Sequence, residues 1–277
     1  YCIIPKIRGD YRSVPMKDLI AEAKDLAKSG IRELILVAQE TTMYGKDIYG
    51  EKRLHILLKE LCKIEDIEWI RVLYCYPEEI YDELIHTIAS EDKICNYLDI
   101  PIQHASDNVL KRMGRRTTNQ ELRDVIAKLR KEIPDIVLRT TLITGFPGET
   151  QKDHEILMNF VDEMEFERLG VFTYSKEEGT PAEKMENQIP EQVKASRSHE
   201  MIELGKAHQK EYMEYYLGKQ VEILFEETTE INGQTYWVGH TREYIKVAVL
   251  SEKNLENQLV TGEITEFLQD GIFNCRI

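Results

Sequence analysis

The sequence has no apolar run approaching a membrane span, no visible leader segment, no C-x-x-C pair, and no internal repeat or low-complexity tract. The first absence argues against a helical membrane anchor within these residues. The five cysteines, Cys2, Cys62, Cys75, Cys95 and Cys275, are odd in number and scattered. That pattern argues against a disulfide framework and for a reducing, cytoplasmic compartment. A dinucleotide glycine fingerprint and a Gly-Lys-Ser/Thr phosphate loop are also missing, so the common nucleotide cradles are excluded. Positive charge is scarce: 36 Lys and Arg stand against 50 Asp and Glu, a net charge of −14. Nucleic-acid binders gain affinity by releasing counterions through basic side chains. This chain sets up a field of the opposite sign, and although a local basic stripe can still serve RNA, the balance favours a basic partner.

What is present is a long alternation of helical and strand patterns. Residues 16–29 carry Leu19, Ile20, Ala23, Leu26 and Ala27 at helical spacing, with Pro15 suited to the start and Gly30 to the stop. Residues 33–38 form a short continuous apolar run, as expected of a strand covered on both faces. Helices are then predicted over 54–64, 79–89, 108–113, 120–132 and 151–164, with strands over 69–75, 97–102, 136–144 and 169–174. Five strands in regular alternation with helices predict parallel βαβ units. Short crossovers favour a barrel over a doubly wound sheet. In such barrels the chemistry lies at the C-terminal ends of the strands. A long charged helix is predicted over 191–216, after which the texture turns β-rich. Strands over 220–225, 235–239, 246–250, 259–267 and 273–277, with tight-turn signals at Asn232-Gly233 and Asp270-Gly271, predict a small five-stranded antiparallel β-barrel. The expected boundary divides residues 1–211 from 212–277.

The candidate site residues sit where strands end. Cys2 precedes Ile3-Ile4-Pro5 and Arg12-Ser13-Val14-Pro15, and a thiolate there is suited to iron. Gln39, Glu40 and Thr41 follow the strand ending at Ala38, where polar groups can meet a cofactor's amino group. Gln103 and His104 follow the strand ending at Ile102 and are candidates to face a reaction chamber. A basic run, Lys111-Arg112-Met113-Gly114-Arg115-Arg116, is more simply a basic helix end. Arg139 is an unexpected cation in an otherwise apolar strand and can pair with a carboxylate. That strand leads into Gly145-Phe146-Pro147-Gly148-Glu149-Thr150, whose glycines permit close backbone approach and whose Glu149 or Thr150 can cap the next helix.

Taken in order, the blocks CIIPKIRGDYRSVP, LVAQETTMYGKD, LDIPIQHASDNVLKRMGR, RTTLITGFPGET and FTYSKEEGTPA, followed by QIPEQVKASR, resemble the methylthiotransferase family of radical S-adenosylmethionine (SAM) enzymes. The resemblance implies a partial (β/α)6 barrel lacking its first strand, followed by the family's TRAM substrate-binding module. It further implies a 4Fe–4S cluster that binds SAM, with Cys2 as the last of three cysteine ligands. The other two would lie upstream of the first residue, as would a domain holding a second 4Fe–4S cluster, so this piece is expected to be inactive by itself. By the same resemblance Gln39, Glu40, Thr41, Arg139 and the turn Gly145, Phe146, Pro147 would hold SAM, while Gln103 and His104 would face the chamber. In the family the SAM-derived radical takes hydrogen from a substrate carbon, and sulfur from the second cluster is inserted and methylated. The electron donor is left open.

The family has a branch acting on an adenosine of tRNA and one acting on the β-carbon of an aspartate in small-subunit ribosomal protein twelve. Gln39-Glu40-Thr41-Thr42-Met43-Tyr44-Gly45 resembles the ribosomal-protein branch. Charge agrees: residues 212–277 hold five basic and eleven acidic residues, 5 − 11 = −6. An acidic module repels an RNA backbone and attracts a basic ribosomal protein. The tRNA enzyme and a non-catalytic RNA-binding barrel remain the competing readings. An aldolase-like barrel ranks last, because no lysine sits clearly at a strand end.

Overall fold

The structure, a computed structural model, describes residues 2–269 and 271–277. Asp270, half of one expected turn, lies outside the described residues. The first unit runs α1 (Ile4–Arg8), α2 (Met16–Lys28), β1 (Glu33–Leu36), α3 (Lys46–Tyr49), α4 (Leu54–Cys62), β2 (Trp69–Val72), α5 (Asp82–Ser90), β3 (Ile94–Asp99), α6 (Asp107–Met113), α7 (Asn119–Glu132), β4 (Val137–Thr144), α8 (Gln151–Met164) and β5 (Arg168–Thr173). The strands lie in sequential order β1 to β5 and all pair in parallel. Right-handed crossovers between sequential strands put the connecting helices on one face, so this is a singly wound, barrel-like sheet whose inner face carries no crossover helix.

Alternation along β4 sorts the faces. Leu138, Thr140, Leu142 and Thr144 are buried, while Arg139, Thr141 and Ile143 are only half-buried. Leu138 and Leu142 join Leu34, Ile70, Val72 and Leu98 in the main core under the helices. The inner face carries Trp69, Arg71, Tyr97, Asp99 and Arg139. Helix ends are set by local chemistry. Thr118 with Glu121, and Thr150 with Asp153, form capping boxes at α7 and α8. Gly114 ends α6 at φ +76°, a conformation glycine adopts without cost.

Helix α9 (Glu191–Glu214) joins the two units. Its Met201 lies in the main core, and Met213, with Tyr216 just beyond the helix, lies in the second core. The second unit comprises β6 (Gln220–Ile231), β7 (Gln234–Thr241), β8 (Lys246–Val249), β9 (Leu259–Gln269) and β10 (Ile272–Arg276), closed in the order β10-β8-β7-β6-β9. The expected barrel is therefore present with one correction: β8 and β10 pair in parallel, and only the other pairs are antiparallel. Closure joins strands that a meander leaves unpaired, and local turn signals carry no information about that pairing.

The small barrel seats against the N-terminal ends of the sheet, on its inner face. Leu224 packs with Trp69, Cys95, Tyr97 and Val137. Arg71 is wholly buried in this seam. It pairs with Glu33 at 2.8 Å, donates to the Arg242 carbonyl at 2.7 Å, and lies over the Tyr244 ring. Arg168 donates to the Tyr244 carbonyl, and Arg242 donates to the carbonyls of Asp92 and Ile94. The opposite, C-terminal end of the sheet is left as an open mouth.

Candidate active site at the mouth and inner face

Cys2 lies exposed at the mouth, its Sγ accepting the Ile4 N–H at 3.4 Å. The helix that follows reaches across the opening: Lys6 Nζ lies 2.7 Å from where a Cβ on Gly179 would sit. The other four cysteines are of a different kind. Burial pushes Cys62 and Cys95 up to about 11 and Cys275 up to about 12, and raises Cys75 well above the ordinary thiol value. They are packed thiols, unsuited to binding metal as thiolates. A cysteine-held 4Fe–4S cluster takes several thiolates. Among the described residues Cys2 is the one thiol at the mouth, and no group of three His, Cys, Asp or Glu there could hold a metal ion. The described residues therefore do not complete a cluster's ligand set.

At the end of β1, Gln39 is exposed, while Glu40 and Thr41 turn inward. One Glu40 oxygen accepts the N–H and hydroxyl of Thr42, and the other accepts the Tyr76 N–H at 2.8 Å. Burial nevertheless pushes Glu40 up to about 7. Thr41 donates to the Leu73 carbonyl at 2.6 Å and accepts the Ala38 N–H. Both side chains thus tie the loop after β1 to the loop after β2.

Gln103 adopts φ +68° and bridges to β4, its N–H donating to Thr141 and its carbonyl accepting from Ile143. It remains half-buried at the mouth. His104, its neighbour, is completely buried. Its Nδ1 accepts the N–H groups of Ala105 and Ser106 at 3.0 and 2.9 Å, and burial pushes it down to about 3. It is a neutral imidazole that shapes the turn into α6. The structure thus separates two residues that the sequence places together.

The Gly145, Phe146, Pro147 turn is closed by its own chain. Glu149 Oε2 accepts the N–H groups of Gly145 and Phe146 at 2.6 and 3.1 Å, and Oε1 pairs with Arg197 of α9 at 2.9 Å. Phe146 is fully buried and packs edge-on against Tyr174. The space beside the glycines is taken: a Cβ on Gly145 would meet Lys194 Cγ at 2.2 Å, and one on Gly148 would meet Arg112 Cζ at 2.5 Å. The glycines make room for two side chains of the same chain. Thr150, as expected, caps α8.

Arg139 is the third residue of β4, five residues before Thr144. At roughly 3.3 Å per residue it sits about 16 Å along the strand from the mouth turn. Its Nη1 donates to Asp99 Oδ1 at 2.8 Å across the inner face. Asp99 is almost wholly buried, which raises its carboxyl despite the guanidinium, and the Tyr74 N–H also reaches it. Tyr74 itself adopts φ +60° and is 45% exposed at the end of β2. A bulky residue in that conformation is uncommon. Sequence reasoning missed Asp99, Tyr74, Lys194 and Arg197. For Asp99 a signal existed, since an acid and a base stood in neighbouring apolar strands. For Tyr74 there was none, because no side-chain pattern announces a left-handed tyrosine.

The sequence profile of the radical SAM superfamily matches residues 1–161. A protein of Lachnoclostridium phytofermentans named ribosomal protein uS12 methylthiotransferase RimO is 58% identical over 271 residues, covering 96% of this chain and 60% of that protein. Proteins of the same name from Clostridium perfringens (strain SM101 / Type A) and Clostridioides difficile (strain 630) are 56% and 47% identical, covering 88% and 97% of this chain and 54% and 61% of their own length. The chain thus spans under two thirds of the curated relatives it matches. Among solved structures, coproporphyrinogen III oxidase (HemN) from Escherichia coli, a radical SAM enzyme, aligns with a TM-score of 0.51 at 16% identity, covering 81% of this chain and 60% of that one. That likeness concerns the fold.

Proposed function

This chain belongs to the radical SAM superfamily, and from that premise we propose that it is the barrel and partner-gripping module of a methylthiotransferase acting on an aspartate of ribosomal protein uS12. In this superfamily a 4Fe–4S cluster and SAM supply the radical chemistry. Cys2 is the one residue of the described chain we assign to the cluster, and Gln39 and Gln103 are the polar side chains left facing the mouth. Glu40, Thr41, Glu149 and His104 hold the loops that shape that mouth. Free cysteines fit a reducing compartment, where we place the protein.

The observation that carries the substrate class is the charge of the small barrel. Glu222, Glu226, Glu227, Glu230, Glu252, Glu256 and Glu266 are exposed on it. Three of its five cations are engaged within the molecule: Arg242 in the seam, Lys219 over the Tyr215 ring, and Arg276 on Glu263. The outward surface is therefore anionic, which supports a basic protein partner over a nucleic acid. The test incubates the anaerobically reconstituted holoenzyme with SAM, a reductant, uS12 and tRNA, then reads both by mass spectrometry. A methylthio group on a uS12 aspartate is the expected result. One on a tRNA adenosine would overturn the assignment.

A further inference from the structure

The inner face holds a charged pair that neither the mouth nor the seam uses. Arg139 and Asp99 are register partners on β4 and β3. Asp99 is 1% exposed and takes one end of the guanidinium, while the Arg139 side chain stays 37% exposed to the open face. Among the described residues no second hydrogen bond holds that guanidinium. A guanidinium carries five N–H donors in a planar fork, so most of its donors remain available toward the open face. On the β5 side stands Gly170: a Cβ there would lie 3.9 Å from Arg139 Nη2 and 3.6 Å from Thr141 Oγ1. The absence of a side chain at 170 leaves a vacancy beside the free edge of the fork. Phe172, two residues on and 61% exposed, gives the same face an apolar wall.

We propose that Arg139, held in orientation by Asp99, receives the side-chain carboxylate of the substrate aspartate in the space that Gly170 leaves open. The inference rests on the uS12 reading above and adds the residue that recognises the acceptor. A planar fork matches a carboxylate with two parallel hydrogen bonds, whereas a carboxamide offers a single acceptor and a clashing donor. Along its own strand Arg139 lies five residues before Thr144, and a measurement of SAM affinity separates this role from a cofactor role.

The test measures binding, so it does not depend on turnover. A labelled uS12 peptide carrying the aspartate, and its Asp→Asn counterpart, are titrated by fluorescence anisotropy against wild-type holoenzyme, Arg139→Gln and Arg139→Lys. SAM affinity is measured in parallel by equilibrium dialysis. Arg139→Lys keeps a cation beside Asp99, so the buried carboxylate stays paired while the fork is lost. Wild type is expected to prefer the aspartate peptide by about tenfold, the scale of a charge-assisted hydrogen bond. Both variants are expected to bind the two peptides nearly equally, with SAM affinity unchanged. A preference retained in Arg139→Lys and Arg139→Gln overturns the proposal. So does a loss of SAM affinity with the preference intact, which would make Arg139 a cofactor ligand. Wild-type enzyme that ignores both peptides yet methylthiolates tRNA defeats the uS12 reading itself, a different result from either of these.

Discussion

At the scale of single residues, two buried titratable groups pull in opposite directions. His104 is neutral when folded because burial pushes it down to about 3. The unfolded chain takes up a proton near pH 6.5, so the stability tied to His104 is present above that pH and is lost as pH falls toward 3. Glu40 is pushed up to about 7. Its contribution is full below about pH 4.5 and is lost as pH rises through 7. Urea unfolding between pH 4 and 8 separates the two. His104→Asn should flatten the acid limb, because the Asn Oδ1 can accept the Ala105 and Ser106 N–H groups as Nδ1 does. His104→Ala orphans those donors and should cost about 2 kcal/mol or more at pH 7. Glu40→Gln should remove the loss above pH 5, and an unchanged slope would show that Glu40 is ionised throughout. The sequence made Gln103 and His104 legible as a strand-end pair. Which one faces the mouth was decided by two backbone N–H groups that no side-chain pattern encodes.

At the scale of elements, the turn after β4 depends on α9. Lys194 passes under Gly145, donating to the Tyr174 carbonyl at 3.0 Å and to Glu191 at 2.7 Å, and Arg197 holds Glu149. Gly145 is at φ +73° with Lys194 Cγ where its Cβ would go. Gly145→Ala therefore combines backbone strain with overpacking and should cost about 2–5 kcal/mol, read from the urea midpoint. Adding Lys194→Ala should return only the overpacking share. Full recovery would show that the left-handed turn relaxes freely. The alternation of helices and strands was readable because period and punctuation are local. The role of Lys194 was not, because it arises from contact across some 50 residues of sequence.

At the scale of the molecule, the two units meet through buried cations. Arg71, at 0% side-chain exposure against 8% for Glu33, is the centre of the seam. Removing one member of a buried pair leaves a desolvated charge and costs about 3–5 kcal/mol. Arg71→Ala should split the calorimetric melt into two transitions, where wild type is expected to show one. A single transition moved bodily downward would mean that α9, not the seam, couples the units. The net charge pointed to a basic partner, but the side of the sheet on which the acidic barrel sits was beyond the reach of composition.

That placement has a consequence in terms of reach. The small barrel is fixed at the N-terminal ends of the strands, and β4 alone, with eight residues, rises about 23 Å toward the mouth. On the proposed reading, a partner gripped by the module would be anchored at one end of a ruler whose working mark, Arg139, lies part-way up the inner face. Selectivity would then be partly a matter of length: a partner with the right charge would be modified only if its aspartate rode on a loop long enough to span the interval.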